Sequence, residues 1–70
     1  MSNKGLQKRG MIRRQKMLYS AITLFLKQGY EKTSTTQIAK AAGMSQTSFF
    51  AAFESKEALL LELVKMMFDS

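Results

Sequence analysis

Three adjacent polar residues, Gln46, Thr47 and Ser48, follow a glycine near the middle of this 70-residue chain. Their side chains suit recognition rather than bond-making. An amide can pair bidentately with adenine, a threonine methyl can contact a thymine methyl, and a hydroxyl can bond a base edge or a phosphate. In the alternative interpretation they are ordinary solvated side chains. Recognition would require an element that presents them outward and a cationic surface nearby.

Residue types that perform covalent chemistry are scarce. The chain contains no Cys and no His, so it can form neither a disulfide nor the usual zinc site. It therefore also lacks two side chains that commonly serve nucleophilic and acid–base catalysis. We predict that the protein is not an enzyme and has no catalytic residue, metal site or cofactor.

The charge distribution is asymmetric. Eleven Lys and Arg against five Asp and Glu give a net charge of +6. Residues 1–16 carry six basic side chains and no acidic one: Lys4, Lys8, Arg9, Arg13, Arg14 and Lys16. A basic arm next to a nearly neutral body indicates a polyanionic partner, either nucleic acid or an anionic membrane surface. The alternative is a solvated tail that only aids solubility.

The apolar stretch MLYSAITLFL, residues 17–26, has the length of a signal-peptide core. Ser20 and Thr23 interrupt it, Lys27 follows it, and no small-residue cleavage site is present. No segment approaches the ~20 apolar residues that span a bilayer. We expect a cytoplasmic chain without a membrane partner. Peripheral membrane binding by this segment is disfavoured because Leu24 and Phe25 are needed for a core.

Helical periodicity predicts an all-α fold with four helices. Residues 1–10 lack an apolar period and are interpreted as a flexible arm. The first helix is predicted from Met11 to just before Gly29, which suits a left-handed residue after the last turn. The other predicted helices span Thr35–Ala42, Gln46–Phe53 and Lys56–Phe68, starting after Ser34, Ser45 and Ser55 as N-caps.

The second and third predicted helices form a helix-turn-helix motif. Gly43 permits a positive φ at a tight turn, and the small side chain of Ala39 allows the two helices to cross closely. An apolar set should fix the crossing: Ile38, Ala42, Met44, Phe49 and Ala52. An ordinary corner between two helices is the alternative, but the basic arm favours DNA binding.

Residues 29–60 resemble the DNA-binding domain of TetR-type transcriptional repressors; their sequence is GYEKTSTTQIAKAAGMSQTSFFAAFESKEALL. The likeness extends through the first helix in the stretch LYSAITLFLKQGY. The resemblance rests on Leu24, Phe25 and Gly29, then Thr33–Ser34, Ile38–Ala39, Ala42–Gly43, Ser45, Phe53 and Ser55–Lys56–Glu57. It implies a homeodomain-like domain of three helices, followed by the start of a fourth.

The resemblance also implies a docking mode. The recognition helix, at about residues 45–53, would lie in the major groove of double-stranded DNA. Base contacts are expected from Gln46, Thr47, Thr36 and Ser48. Phosphate contacts are expected from Ser34, Thr35, Ser45, Phe50, Lys56, Arg13 and Arg14.

The chain departs from the family pattern in its recognition helix. Phe50 replaces a phosphate-binding Tyr and has no hydroxyl, and Ala51 and Ala52 stand where aromatic residues or His are frequent. The predicted helix contains no Lys or Arg, so affinity would depend on the arm, the first helix, Lys40 and Lys56. We hypothesise that Arg13, Arg14 and the arm compensate by contacting phosphates or an adjacent minor groove.

The fourth predicted helix is apolar around nearly its whole circumference, so part of it should form an exposed patch. We expect residues 1–10 to be an arm, residues 11–54 the DNA-binding domain, and residues 55–70 a connection to an absent domain. In the resembled family that domain forms a homodimer on a palindromic operator and binds a small-molecule effector. Alternatively, this helix pairs two subunits itself, or the chain is a helical protein-interaction module. The sequence leaves open whether the 70 residues alone are monomeric.

Overall fold

A computed structural model describes the backbone of residues 9–69 and the side chains of residues 11–69. This part of the chain contains four α-helices and no strand: α1 (Arg9–Gln28), α2 (Thr35–Ala41), α3 (Gln46–Ala52) and α4 (Lys56–Asp69). The predicted all-α helix-turn-helix fold is confirmed. None of these helices combines the length and apolar character needed to cross a membrane.

The helix ends differ from the predicted ones by one or two residues. α1 begins at Arg9, so the last two residues of the predicted arm are helical, and residues 1–8 lie outside the described part. Apolar periodicity marks only the packed part of a helix and therefore misses Arg9 and Gly10, which carry no apolar side chain. Ala42 and Phe53 are C-caps rather than helical residues, and Phe53 has an extended backbone.

Serine side chains begin the three shorter helices, as predicted. Ser34 Oγ accepts a hydrogen bond from the Gln37 N–H at 3.1 Å, and Gln37 Oε1 accepts one from the Ser34 N–H at 3.0 Å. This reciprocal pair is the expected capping box. Ser45 and Ser55 each accept a bond from the backbone N–H three residues later, both at 3.1 Å.

The turn between α2 and α3 is a Schellman motif. The Met44 N–H donates to the Ala39 carbonyl at 2.8 Å, and the Gly43 N–H donates to the Lys40 carbonyl at 2.9 Å. Gly43 has φ +75°, as the motif requires of the residue after the C-cap. The sequence-based expectation for Gly43 is confirmed.

The core lies between α1 and the other three helices. Its buried apolar residues are Met17, Leu18, Ala21, Ile38, Ala39, Phe49, Phe53, Leu59 and Leu63. Of the set predicted to fix the helix crossing, Ile38 and Phe49 are fully buried, and Ala42, Met44 and Ala52 pack against the core from its edge. α3 is thus anchored by one buried ring and cannot rotate without opening the core.

α4 buries one face and exposes the rest, as its composition predicts. Leu59 and Leu63 are buried, whereas Leu61 is 62% and Phe68 84% exposed. Val64, Met66 and Met67 are also exposed large apolar residues. The domain therefore carries an apolar surface on α4, which normally marks an interface.

Candidate nucleic-acid interface

The outward face of α3 consists of Gln46, Thr47, Phe50 and Ala51, all of which are exposed. Phe49 points into the core, and Ser48 and Ala52 lie at the boundary. This division follows the helical period, because residues 46, 47, 50 and 51 lie on one side of a helix with 3.6 residues per turn. We call these four residues the reading face. Gln46 and Thr47 are therefore accessible to a ligand in the way base reading requires.

The start of α2 lies beside the start of α3. Gln46 Nε2 donates to Thr35 Oγ1 at 3.1 Å, which joins a predicted base-contacting residue to a predicted phosphate-contacting one. Thr36, the next residue, is exposed. This bond was not predictable from the sequence, since the two residues belong to different helices and no spacing rule relates them.

The capping serines have part of their hydrogen-bonding capacity committed. Ser34 and Ser45 accept backbone N–H bonds, and the Ser45 hydroxyl also lies 3.3 Å from Ser48 Oγ. Both capping serines are exposed, and Ser48 is half-buried. The predicted contacts of these hydroxyls with DNA stay predictions. Each hydroxyl would have to bond DNA while keeping its present hydrogen bond within the domain.

Phe50 places an apolar ring where the family pattern has a hydroxyl. Its side chain is 48% exposed, and its ring meets the buried Phe49 ring edge-on, with centroids 5.3 Å apart and planes at 82°. Without a hydroxyl the ring cannot donate a hydrogen bond to a phosphate. Any contact of Phe50 with DNA must therefore be apolar.

Arg14, predicted to contact phosphate, makes several contacts within the domain. Its Nη1 donates to the Ala52 carbonyl at 2.9 Å, and its Nη2 lies 3.4 Å from Glu62 Oε1. Its guanidinium carbon is 4.4 Å from the centroid of the Phe53 ring. These contacts join α1 to the end of α3 and to α4. A contact of Arg14 with phosphate stays a prediction, since its side chain is still 39% exposed.

Arg13, the neighbour of Arg14, is exposed. Both arginines line a groove of ≈ 370 Å³ between the start of α1 and α3, together with Met11, Met17, Ser48, Ala51 and Ala52. The groove borders the reading face, because Ala51 belongs to both. Arg13 is thus placed where a phosphate on one side of a bound duplex could reach it.

Lys56, also predicted to contact phosphate, bonds the loop between α1 and α2. Its Nζ donates to the carbonyls of Tyr30 and Thr33 at 2.8 and 2.9 Å, and it lies 4.1 Å from the centroid of the Tyr30 ring. Two of the three ammonium hydrogens are therefore used within the domain. These bonds were not predictable, because nothing in the sequence indicates the loop carbonyls as partners of Lys56.

Two groups with shifted pKa values lie where this loop meets the start of α4. The pKa of Glu57, at the start of α4, lies below its ordinary 4.5, chiefly because the carboxylate accepts a hydrogen bond from the Glu57 backbone N–H. The nearby side chains of Tyr30 and Ser55 and the charge of Lys56 lower the pKa further. Burial raises the pKa of Tyr30 above its ordinary 10.0, and the carboxylates of Glu57 and Glu31 add to the rise. Glu57 is thus charged and Tyr30 neutral at pH 7.

The contacts across the Schellman turn and the exposed reading face define a helix-turn-helix domain. The sequence profile described as "Bacterial regulatory proteins, tetR family" matches residues 18–63. The chain belongs to this family, and it is a DNA-binding regulatory domain rather than an enzyme.

Three curated relatives show the extent of the likeness. The HTH-type transcriptional regulator YuxN of Bacillus subtilis is 40% identical over 53 residues, which cover 76% of this chain and 18% of YuxN. YdgC of the same organism, also named an HTH-type transcriptional regulator, is 34% identical over 84% of this chain and 30% of its own length. The negative transcriptional regulator IcaR of the biofilm operon icaADBC in Staphylococcus aureus is 36% identical over 80% of this chain and 30% of its own.

The matched region thus spans less than a third of each of these relatives. No solved structure matches the chain at a comparable level of significance.

Proposed function

We propose that this domain reads a specific operator sequence for a transcriptional repressor. The observation that carries the proposal is the reading face, which leaves Gln46 and Thr47 exposed on a helix anchored by the buried Phe49. A rigid helix with accessible polar side chains suits direct reading in the major groove. Repression, as opposed to activation, is supported by the name of the relative IcaR, a negative regulator.

In the proposed complex α3 enters the major groove of double-stranded DNA. Gln46 and Thr47 contact bases, and Thr36 and Ser48 contact them from the sides. The hydroxyls of Ser34, Thr35 and Ser45 and the side chain of Arg13 approach phosphates, which set register and orientation but carry no base information. Residues 1–8 and exposed Lys40 add positive charge to the same interaction.

We further propose that the operator is palindromic and that two subunits bind it. One helix-turn-helix reads few base pairs, and a two-fold arrangement with recognition helices about 34–36 Å apart doubles the site. The relatives are more than three times as long as the matched region, which leaves room for a domain that dimerises and binds a small-molecule effector. Such a regulator would act in the bacterial cytoplasm, on the nucleoid.

The test is selection of binding sites from random duplex DNA. The chain is joined through a flexible linker to a dimerising coiled coil, and selection is repeated at two salt concentrations. We expect enrichment of one sequence motif in two inverted copies at both concentrations. Retention of DNA without enrichment of any motif would refute sequence-specific reading.

Removal of residues 1–8 tests the role of the arm. These residues contain two of the basic side chains, Lys4 and Lys8. If they contact phosphates, the slope of log K against log salt becomes shallower by about 1 to 2, because fewer counterions are released on binding. An unchanged slope would show that the arm does not contact the duplex.

A second candidate function, docking to another protein, is favoured by the exposed apolar residues of α4. Leu61 and Phe68, seven residues apart, lie on the same side of α4 and are exposed. The double variant Gln46→Ala/Thr47→Ala distinguishes the two functions. A DNA reader loses its preferred motif while its fold is retained, whereas a protein-interaction module keeps its partner affinity.

A further inference from the structure

We propose that the reading face recognises A·T base pairs, with Phe50 and Thr47 packed against thymine methyl groups and Gln46 paired to adenine. This inference rests on the proposed function, since it takes α3 as the helix that enters the major groove. It adds the class of operator: half-sites rich in A·T.

The reading face carries no charge. It offers one amide, from Gln46, and three apolar or methyl-bearing side chains, from Thr47, Phe50 and Ala51. The commonest specific contact to guanine is a bidentate bond from Arg or Lys to O6 and N7. By contrast, an amide pairs with adenine N6 and N7, and apolar groups suit the 5-methyl of thymine. The chemistry of the face thus fits A·T pairs.

Within the described residues, the basic side chains of Arg14 and Lys56 already have partners inside the domain. Arg14 is bonded to the Ala52 carbonyl and paired with Glu62. Lys56 is bonded to two loop carbonyls. Arg13 lies on α1 at the rim of the groove rather than on the reading face.

The geometry presents the apolar ring and the amide together. Phe50 follows Gln46 by four residues, so both lie on one side of α3, one turn apart. The Phe50 ring rests edge-on against the fully buried Phe49, and the Gln46 amide is bonded to Thr35. Little side-chain freedom remains to be lost when these groups meet adjacent base pairs.

The experiment removes the thymine methyl without changing base pairing. The motif selected with the dimerised chain is resynthesised with uracil in place of thymine, one position at a time, and affinities are measured at fixed salt. We expect A·T-rich half-sites and a loss of about fourfold in affinity at each contacted methyl, the value of one buried apolar carbon.

Variants assign each methyl to a side chain. Phe50→Ala should abolish the effect of uracil at one position, and Thr47→Ser, which deletes only a methyl, should abolish it at another. Thr47 is exposed, so the second variant keeps the fold even if loss of the Phe50 ring disturbs Phe49. Leu26→Ala, on a side chain 82% exposed in the last turn of α1, is the matched control and should leave every uracil effect unchanged.

Two results would overturn the inference in distinguishable ways. Selection of G·C-rich half-sites, or indifference of a selected site to uracil at every position, refutes A·T reading but leaves sequence-specific binding intact. Failure to select any motif refutes the proposed function, and this inference with it.

Discussion

Two adjacent arginines of α1 differ in the contacts that they make. Arg13 is exposed beside the reading face, whereas Arg14 bonds the end of α3 and pairs with Glu62 on α4. Sequence alone assigned both to phosphate, because side-chain direction at two neighbouring helical positions depends on what packs nearby. The pair offers a matched comparison of phosphate contact with positioning.

The account predicts different consequences for the two alanine variants. Arg13→Ala should reduce the salt slope of DNA binding by about 1 and leave the unfolding free energy unchanged. Arg14→Ala should lower the unfolding free energy by about 1 kcal/mol, a modest value because the contact is partly exposed to water, and leave the salt slope unchanged. Urea unfolding and salt titrations measure both quantities, and the reverse pattern would show that Arg14 is the phosphate ligand.

Acid stability should depend on Glu57. Its pKa is lower in the folded domain than its ordinary 4.5, so the stabilisation is present above that pH and is lost as the pH falls through the lower folded value. Thermal unfolding between pH 7 and pH 2.5 should show a melting temperature that falls on acidification. The melting temperature of the Glu57→Gln variant should fall less. An identical fall in both proteins would show that Glu57 does not cause the loss of stability in acid.

At the scale of elements, the turn between α2 and α3 determines where the reading face points. Gly43 adopts φ +75°, yet a Cβ built there meets no atom within 4 Å. A side chain at this position is therefore penalised by the backbone conformation alone. Replacing Gly43 therefore tests the backbone conformation of the turn rather than its packing.

Gly43→Ala should destabilise the domain by about 1–2 kcal/mol, the cost of a left-handed residue with a Cβ. Gly43→Asn should cost less, because Asn tolerates this region better. Chemical denaturation measures the difference. Equal stabilities for the glycine, asparagine and alanine proteins would show that the turn does not need a left-handed residue.

The elements were predictable to within one or two residues because their signals are local. The capping box of Ser34 and Gln37 and the turn glycine depend on neighbours in the chain. The roles of Arg14 and Lys56 were not predictable in this way, since their partners lie 38 and 23–26 residues away. Long side chains with several donors can be assigned only once the packing of helices is known.

At the scale of the molecule, the domain combines a rigid reading face with an apolar surface on α4. Phe49 and Leu59 are both fully buried in the same core, which therefore connects the recognition helix to α4. Arg14 connects them a second time, through the Ala52 carbonyl and Glu62. A partner domain that moved α4 would therefore also move α3 through these contacts.

The exposed side of α3 is proposed to read bases, and a ratio of two affinities tests this proposal. The affinity of the dimerised chain for its selected operator is divided by its affinity for a scrambled duplex at the same salt, and the ratio is compared with that of Gln46→Ala. The account predicts that the variant's ratio falls by about tenfold to a hundredfold while affinity for scrambled DNA is unchanged. An unchanged ratio, or an equal loss of affinity for both duplexes, would contradict it.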